Sequence, residues 1–480
     1  MMWVLVIYLA LLWWVSRRQG RGNDAFFRGE RRSSWLMVAY GMVGASVSGV
    51  SFVSVPGMVA TQDMTYLQTC MGFVLGYALV AFVLLPIYYR LNLTSIYTLL
   101  ERRLGESAYR VGAWLFIVSD MVGTAVKFLL VSVILQQFVF DGLGLPFAVT
   151  VPLLVGAIWL YTKRGGVHTL VLTDVLQTTC MLAALCMIIR AAMEQTGVNF
   201  GDLMSWFGRT SGDVMERTAV SAGVMEHTRV FEFSDWTSKQ HFVRQFVSGA
   251  FIVVVMTGLN QNMMQKNLTC KSLRDAQKDM CLSGTLFLPV NALFLVLGAL
   301  LLQLPLTASG DGLLPEFVSG TAQTGGVVAV LFVLGIVAAA FSSADSSLTA
   351  LTTSFCVDVM RREDDTRLRR RVHVGMSLVL VVLVHALSLT GSQSMIDLVY
   401  TLVGYTYGPL LGLFALALLP ASSGGERTLR LGAWTVAAVC IASPAVCYVL
   451  AQYVTLGYEL LLVNGALTFL MLKILSRCRK

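Results

Sequence analysis

Residues 35–59 read WLMVAYGMVGASVSGVSFVSVPGMV, an apolar run interrupted by Gly41, Gly44, Gly49, Pro56 and Gly57, with Ser46, Ser48, Ser51 and Ser54 between them. Roughly 20 mainly apolar residues cross about 30 Å of hydrocarbon, so the length predicts a transmembrane helix. The glycines and the proline predict one that unwinds near its middle. Lipid offers no hydrogen bonds, so a broken helix survives only where protein or a water-filled cavity satisfies the freed backbone groups. Freed carbonyls there can coordinate a cation, and the serine hydroxyls can hold a solute. The alternative is a helix whose small residues serve close packing alone.

Similar runs recur along the whole chain. Of its 480 residues 56% are hydrophobic and 13% charged, and the mean hydropathy is +0.72, far from soluble composition, where about a quarter of residues are charged. Thirteen spans are predicted near 2–16, 35–59, 66–89, 112–139, 146–161, 168–192, 243–264, 277–304, 323–357, 373–390, 395–420, 429–452 and 456–476. The first lacks a basic leader and an Ala-x-Ala-like cleavage site, and reads as a retained helix rather than a signal peptide. The net charge of +8 is spread between the apolar runs, which argues against a nucleic-acid surface. Nine cysteines without a CxxC pair read as apolar fillers.

Alternate loops differ sharply in charge. One set carries Arg17, Arg28, Arg90, Arg102, Lys163, Lys266, Lys271, Arg361 and Arg370 among others, while the loops near 60–65, 140–145, 305–322, 391–394 and 453–455 carry no Lys or Arg. Positive loops stay in the cytoplasm. The N-terminus is therefore expected outside and the C-terminus in the cytoplasm of an inner membrane, which requires an odd number of spans. Residues 193–242, with Trp206, Phe207 and Trp236, form a long outer segment read either as gating helices or as a plain connector.

Polar groups inside the spans mark candidate sites. The run 323–357 holds Ser342, Ser343, Asp345, Ser346, Ser347 and several threonines. Hydroxyls can bond back to their own helix. A mid-membrane carboxylate costs roughly 2.5–3.5 kcal/mol on insertion scales and so faces a partner, a cavity or an ion. Helical spacing puts Ser342, Asp345 and Ser346 on one face, and their oxygens suit an alkali cation. Asp174 and Lys127 also lie inside spans, with a helix-end cap and a snorkelling stem as the respective alternatives.

These residues sit in segments that resemble the sodium:solute symporter family: ASVSGVSFVSVPG at 45–57, LNLTSIYTLLERRLG at 91–105, YTKRGGVHTLVLTDVLQ at 161–177, GLNQNMMQKNLTCKSLRDAQK at 258–278 and AAAFSSADSSLTALTTSFCVDV at 338–359. The resemblance implies an all-α membrane protein of about thirteen transmembrane helices around a LeuT-type 5+5 inverted-repeat core. Its parts are a leading helix and cytoplasmic loop at 1–34, a first repeat at 35–192, the outer segment 193–242, a second repeat at 243–420 and two trailing helices at 421–480. It further implies that a sodium ion is held by carbonyls of Gly44, Val47 and Ala339 and hydroxyls of Ser342 and Ser343. A second cation site falls on Asp174, Asp345 and Ser346, where a carboxylate replaces the expected hydroxyl at 345. A second sodium, or a proton shared by the two aspartates, fits there.

The implied activity is sodium-coupled secondary active symport of a small organic solute, with sodium, solute and lipid bilayer as partners and no nucleic acid. Val253, Val255, Met256 and Thr257 replace the polar residues of galactose transporters, which disfavours a plain hexose. Ser46, Ser48, Ser51 and Lys127 fall near the positions that sialic acid transporters use, which favours an anionic solute such as sialic acid. Lysine serves as a point charge, without arginine's bidentate geometry. The rivals are a proton-coupled symporter of the same fold and a non-transporting solute sensor; a sensor is expected to carry an appended signalling domain, and only Arg477 to Lys480 follow the last span. No HExxH, GxSxG or paired His and carboxylate points to an enzyme.

Overall fold

The computed structural model of the chain describes residues 2–17, 22–29, 33–199, 201, 203, 227–320, 326–389, 395–419, 432–454 and 456–478. Its elements in chain order are α1 (Met2–Arg17), α2 (Asn23–Arg28), α3 (Trp35–Ser46), α4 (Gly49–Gln62), α5 (Tyr66–Arg90), α6 (Thr98–Leu104), α7 (Glu106–Leu143), α8 (Phe147–Gly165) and α9 (Val167–Thr196). After the outer segment come α10 (Phe242–Gly258), α11 (Gln261–Asn267), α12 (Leu273–Leu301), α13 (Leu313–Gly320), α14 (Val327–Val359), α15 (Thr366–Ser388), α16 (Met395–Leu418), α17 (Ala433–Ala451) and α18 (Leu460–Cys478). Eight helices are long and apolar enough to cross a membrane, and two bent pairs make one further span each; with three shorter apolar helices (α1, α8 and α18) the described apolar segments stand at the thirteen predicted positions.

The two bent pairs fix the architecture. Helix α3 stops at Ser46 because Val47 and Ser48 are extended, and α4 leaves at 57° to it. Helix α10 ends in a π-turn at Val254–Gly258, and α11 departs at 70°. Each pair opens a set of five spans, and the third span of each set ends in a π-turn, Gln136–Phe140 in α7 and Phe355–Val359 in α14. The first pair packs between α14, α9 and α12, while α10 lies along α5. Gly44 sits so close to α9 that any side chain there would collide with the Thr178 hydroxyl. Outside this core, Leu378, Val379 and Val382 of α15 and Ile441 of α17 are exposed, as expected of surfaces solvated by lipid.

Two expectations change and one holds. The span predicted at 243–264 is not one helix but breaks at Leu259 and Asn260, and Asn260 caps the second piece by accepting from Asn262 N at 2.8 Å. The hydroxyl-rich run is helical as expected, over Val327–Val359, with Ser346, Thr352 and Thr353 donating to the carbonyls of Ser342, Leu348 and Thr349 one turn back. Lys266, read as a loop charge, is buried at the end of α11.

Of the segment 193–242, residues 204–226 with Trp206 and Phe207 lie outside the described residues, as do Arg18, Arg21, Arg31, Arg32, Arg427 and Arg430 and the loop 391–394. The described part, 227–241, straps the turn between α4 and α5. Arg229 pairs with Asp63 at 2.9 Å and with Glu232 at 2.5 Å, and Gln68 accepts from Glu232 N at 3.2 Å.

Candidate functional site

Where α3 ends, the next turn offers no amide to its last carbonyls. Helix α14 lies across this gap and presents Ala339, Ser342 and Ser343. Ser343 Oγ donates to Ala45 O at 3.3 Å, and Ser342 Oγ donates to Asp174 Oδ1 at 2.6 Å. A hydroxyl that gives away its proton keeps lone pairs that can face a cation. Of the five residues expected around sodium, Ser343 meets the end of α3 at Ala45 O and Ser342 faces Asp174 of α9, while Gly44 and Val47 stand at the end of α3 and Ala339 one turn before Ser342 and Ser343 on α14. Their oxygens are hard ligands of the kind that suits an alkali cation.

The second group, Asp174, Asp345 and Ser346, adjoins the first on the α9 side of α14. Tyr161 donates to Asp345 Oδ2 at 2.6 Å and Ser346 Oγ to Asp345 Oδ1 at 3.1 Å. Asp174 does not share its charge with Asp345 directly. Its Oδ2 lies 2.6 Å from Lys266 Nζ, with both side chains 1% exposed. With its amide turned so that the nitrogen faces α9's preceding turn, Gln177 adds a 3.3 Å contact to Asp174 Oδ1. The sequence reading missed Lys266 because it stands among polar residues beside Lys271 and Arg274; its place at the end of the NQNMMQK run was the available signal.

Lys127 is half-buried. With Ser48, Thr124, Phe128, Ala340 and Ser343 it lines a cavity of about 10 Å³, no larger than one water needs. Of the three serines expected to hold solute, Ser48 lines this space, and the Ser51 hydroxyl lies 3.4 Å from the Ser48 hydroxyl. Ser46 points elsewhere, to Tyr77 Oη at 3.2 Å.

One turn and then two below Lys127 on the same face of α7 stand Thr124 and Asp120. Asp120 accepts from Asn260 Nδ2 at 3.3 Å and Tyr407 Oη at 3.5 Å, and its Oδ2 has no partner. Asn262 Nδ2 donates to Ser347 Oγ at 2.7 Å alongside. A buried polar floor thus joins α7, the second break, α14 and α16. Asp120 was also missed, although a carboxylate seven residues before an intramembrane lysine was visible in SDMVGTAVK. Beyond the membrane spans, the hydroxyl and amide of Ser234, together with Arg229, hold the Glu232 carboxyl below its ordinary range.

Comparison with known proteins places this geometry. The model of the sodium:solute symporter family matches residues 26–422. The chain is 25% identical to the sodium/iodide cotransporter of Homo sapiens, over 93% of this chain and 69% of that one. It is 24% identical to a sodium/sialic acid symporter of Aliivibrio fischeri, over 95% and 90%. A solved structure of a sodium-coupled sialic acid symporter, substrate-bound and outward-open, superposes with a TM-score of 0.80 at 20% identity, covering 99% of this chain and 97% of that one. That likeness shows the fold, the LeuT-type helical core.

Proposed function

We propose that this chain, which belongs to the sodium:solute symporter family, carries a small organic acid, with sodium at the first helix break and the solute's carboxylate on Lys127. The chain is a sodium-coupled symporter of small solutes, a multi-pass membrane protein and not an enzyme. The observation that carries the anionic reading is the position of Lys127. Lys127 lines the small cavity beside Ser48 and Ser343, and Asp120 stands two turns away on the same helix face. A cation held there without a direct counter-ion is costly in a low dielectric, and an anionic solute relieves that cost.

The sodium ligands are Gly44, Val47, Ala339, Ser342 and Ser343. Because Ser343 touches both the Ala45 carbonyl and the cavity that Lys127 lines, ion and solute share a wall. Filling one site orders the groups of the other, and the resulting coupling free energy is reciprocal. Asp174 serves as counter-ion to Lys266 in this arrangement, which leaves Asp345 and Ser346 to a second cation. The repeats span 35–192 and 243–420, and rocking of one against the other exposes the site alternately. The basic loops face the cytoplasm of an inner membrane, with the N-terminus outside.

Sialic acid symporters among the relatives make sialic acids the first solutes to try. Purified protein heated with sialic acids, monocarboxylates, hexoses and amino acids, each in sodium and in choline, tests the reading. Stabilisation by an acid in sodium alone is expected. Stabilisation by a neutral solute to the same degree in both media would contradict it.

A further inference from the structure

On the face that carries the basic loops, away from the transport path, a cavity of about 490 Å³ opens between α2, α8 and the start of α15. Lys163, Arg369 and Arg370 line it, and no carboxylate among the described residues does. Two of these cations are set against aromatic walls: Lys163 Nζ lies 4.4 Å from the Trp159 ring centroid, and the Arg369 guanidinium 4.6 Å from that of Phe26. Arg369 is 4% exposed; its Nη1 donates to Gly22 O at 2.7 Å, while its Nε has no partner. Of the four neighbouring acids, Asp364 is exposed to solvent and the other three are engaged elsewhere. Glu363 and Asp24 pair with Arg28 at 2.9 and 4.0 Å. Asp365 caps α15 through the amides of Arg367 and Leu368. His373 at the back wall is held between Thr162 and Thr352.

The cavity therefore keeps uncompensated positive charge where the membrane surface lies. Its rim is apolar on one side. Val374, Leu378 and Val382, one turn apart along α15, are 40%, 61% and 66% exposed and run up into the lipid-facing surface. A ligand that matches both parts has an anionic head and a long apolar tail.

We propose that this cavity binds one anionic phospholipid, its phosphate among Lys163, Arg369 and Arg370 and an acyl chain along Val374, Leu378 and Val382. Basic pockets between transmembrane helices take such headgroups, and each basic side chain contributes through the same electrostatics that draws polybasic segments to anionic membranes. The bound lipid bridges α8 and α15, the fourth spans of the two sets of five.

The test uses the full chain, delipidated in detergent and titrated with phosphatidylglycerol, phosphatidylcholine or inorganic phosphate, read by melting temperature and by lipids retained in native mass spectrometry. Phosphatidylglycerol alone should raise the melting temperature, with one molecule retained. Lys163→Gln and Arg370→Gln should each weaken that binding about fivefold, and Arg110→Gln, which removes an exposed charge paired with Glu106, should leave it unchanged. If Lys163→Gln folds poorly, Arg370→Gln carries the comparison alone, because Arg370 is exposed. Equal retention by wild type and both variants, or an equal loss with Arg110→Gln, would overturn the site. A shift reproduced by inorganic phosphate would assign it to small anions instead and overturn the lipid.

Discussion

At the first helix break, between Ser46 and Gly49, the Ala45 carbonyl is met by the Ser343 hydroxyl at 3.3 Å. At the second, Tyr88 and Tyr97 donate to the carbonyls of Gly258 and Leu259 at 2.9 and 3.0 Å, and Asn260 caps the following helix. Gln261 ties the same region to the loop before α6 through Ile96 N and Thr94 O. The carbonyls of the second break are tied off by buried tyrosines, whereas at the first the one side-chain donor to a carbonyl among the described residues is Ser343, with Ser48 capping α4 through Ser51 N at 3.4 Å. The first has the oxygens to offer an ion. The second holds its short helix rigidly enough to present Lys266 to Asp174.

That contrast can be broken most severely at Lys266. Removing one partner of a buried ion pair leaves an uncompensated charge and costs about 3–5 kcal/mol, so Lys266→Met should lower the melting temperature more than any other change proposed here. Adding Asp174→Asn should recover most of the loss, as a double-mutant comparison of melting curves would show. Next comes Tyr97→Phe, which orphans a buried carbonyl at about 1–3 kcal/mol. It should leave the sodium concentration for half-maximal uptake unchanged. Ser343→Ala should do the reverse, costing about 1 kcal/mol or less in stability while raising that sodium concentration about tenfold, the equivalent of one lost ligand contact. If Tyr97→Phe shifted sodium dependence and Ser343→Ala did not, the two breaks would have been assigned the wrong roles.

The smallest effect belongs to the strap over the outer end of the first broken pair. Glu232 is held below its ordinary pKa of about 4.3 by Ser234 first and Arg229 after it. A depressed folded-state value stabilises the fold fully above the ordinary value, and that stabilisation is lost as pH falls through the depressed one. Melting curves taken down through that window should show a modest acid-side loss that Glu232→Gln removes.

The first break is legible in the sequence because glycine, proline and serine accumulate within one apolar run. The second is not, since VVVMTGLNQ offers Gly258 alone and its fastenings come from tyrosines 170 and 162 residues earlier in the chain. The same difference separates the two lysines. Lys127 stands out against apolar neighbours, whereas Lys266 lies next to loop charges, and only the fold reveals that it is buried. Asp120 gave a local signal, a carboxylate on the face of Lys127, but its partners Asn260 and Tyr407 belong to helices that meet only in three dimensions. Helix α14 was legible as a helix despite its many hydroxyls, which satisfy themselves on carbonyls one turn back.

Sodium-gradient-driven uptake of the best-stabilising acid into proteoliposomes, wild type beside Lys127→Gln, tests the central claim most directly. Wild-type uptake should require sodium and fail in choline, and Lys127→Gln should raise the half-saturating acid concentration about tenfold or more with its melting temperature little changed. Uptake that is equal in sodium and choline, or an acid affinity unaltered by Lys127→Gln, would contradict it.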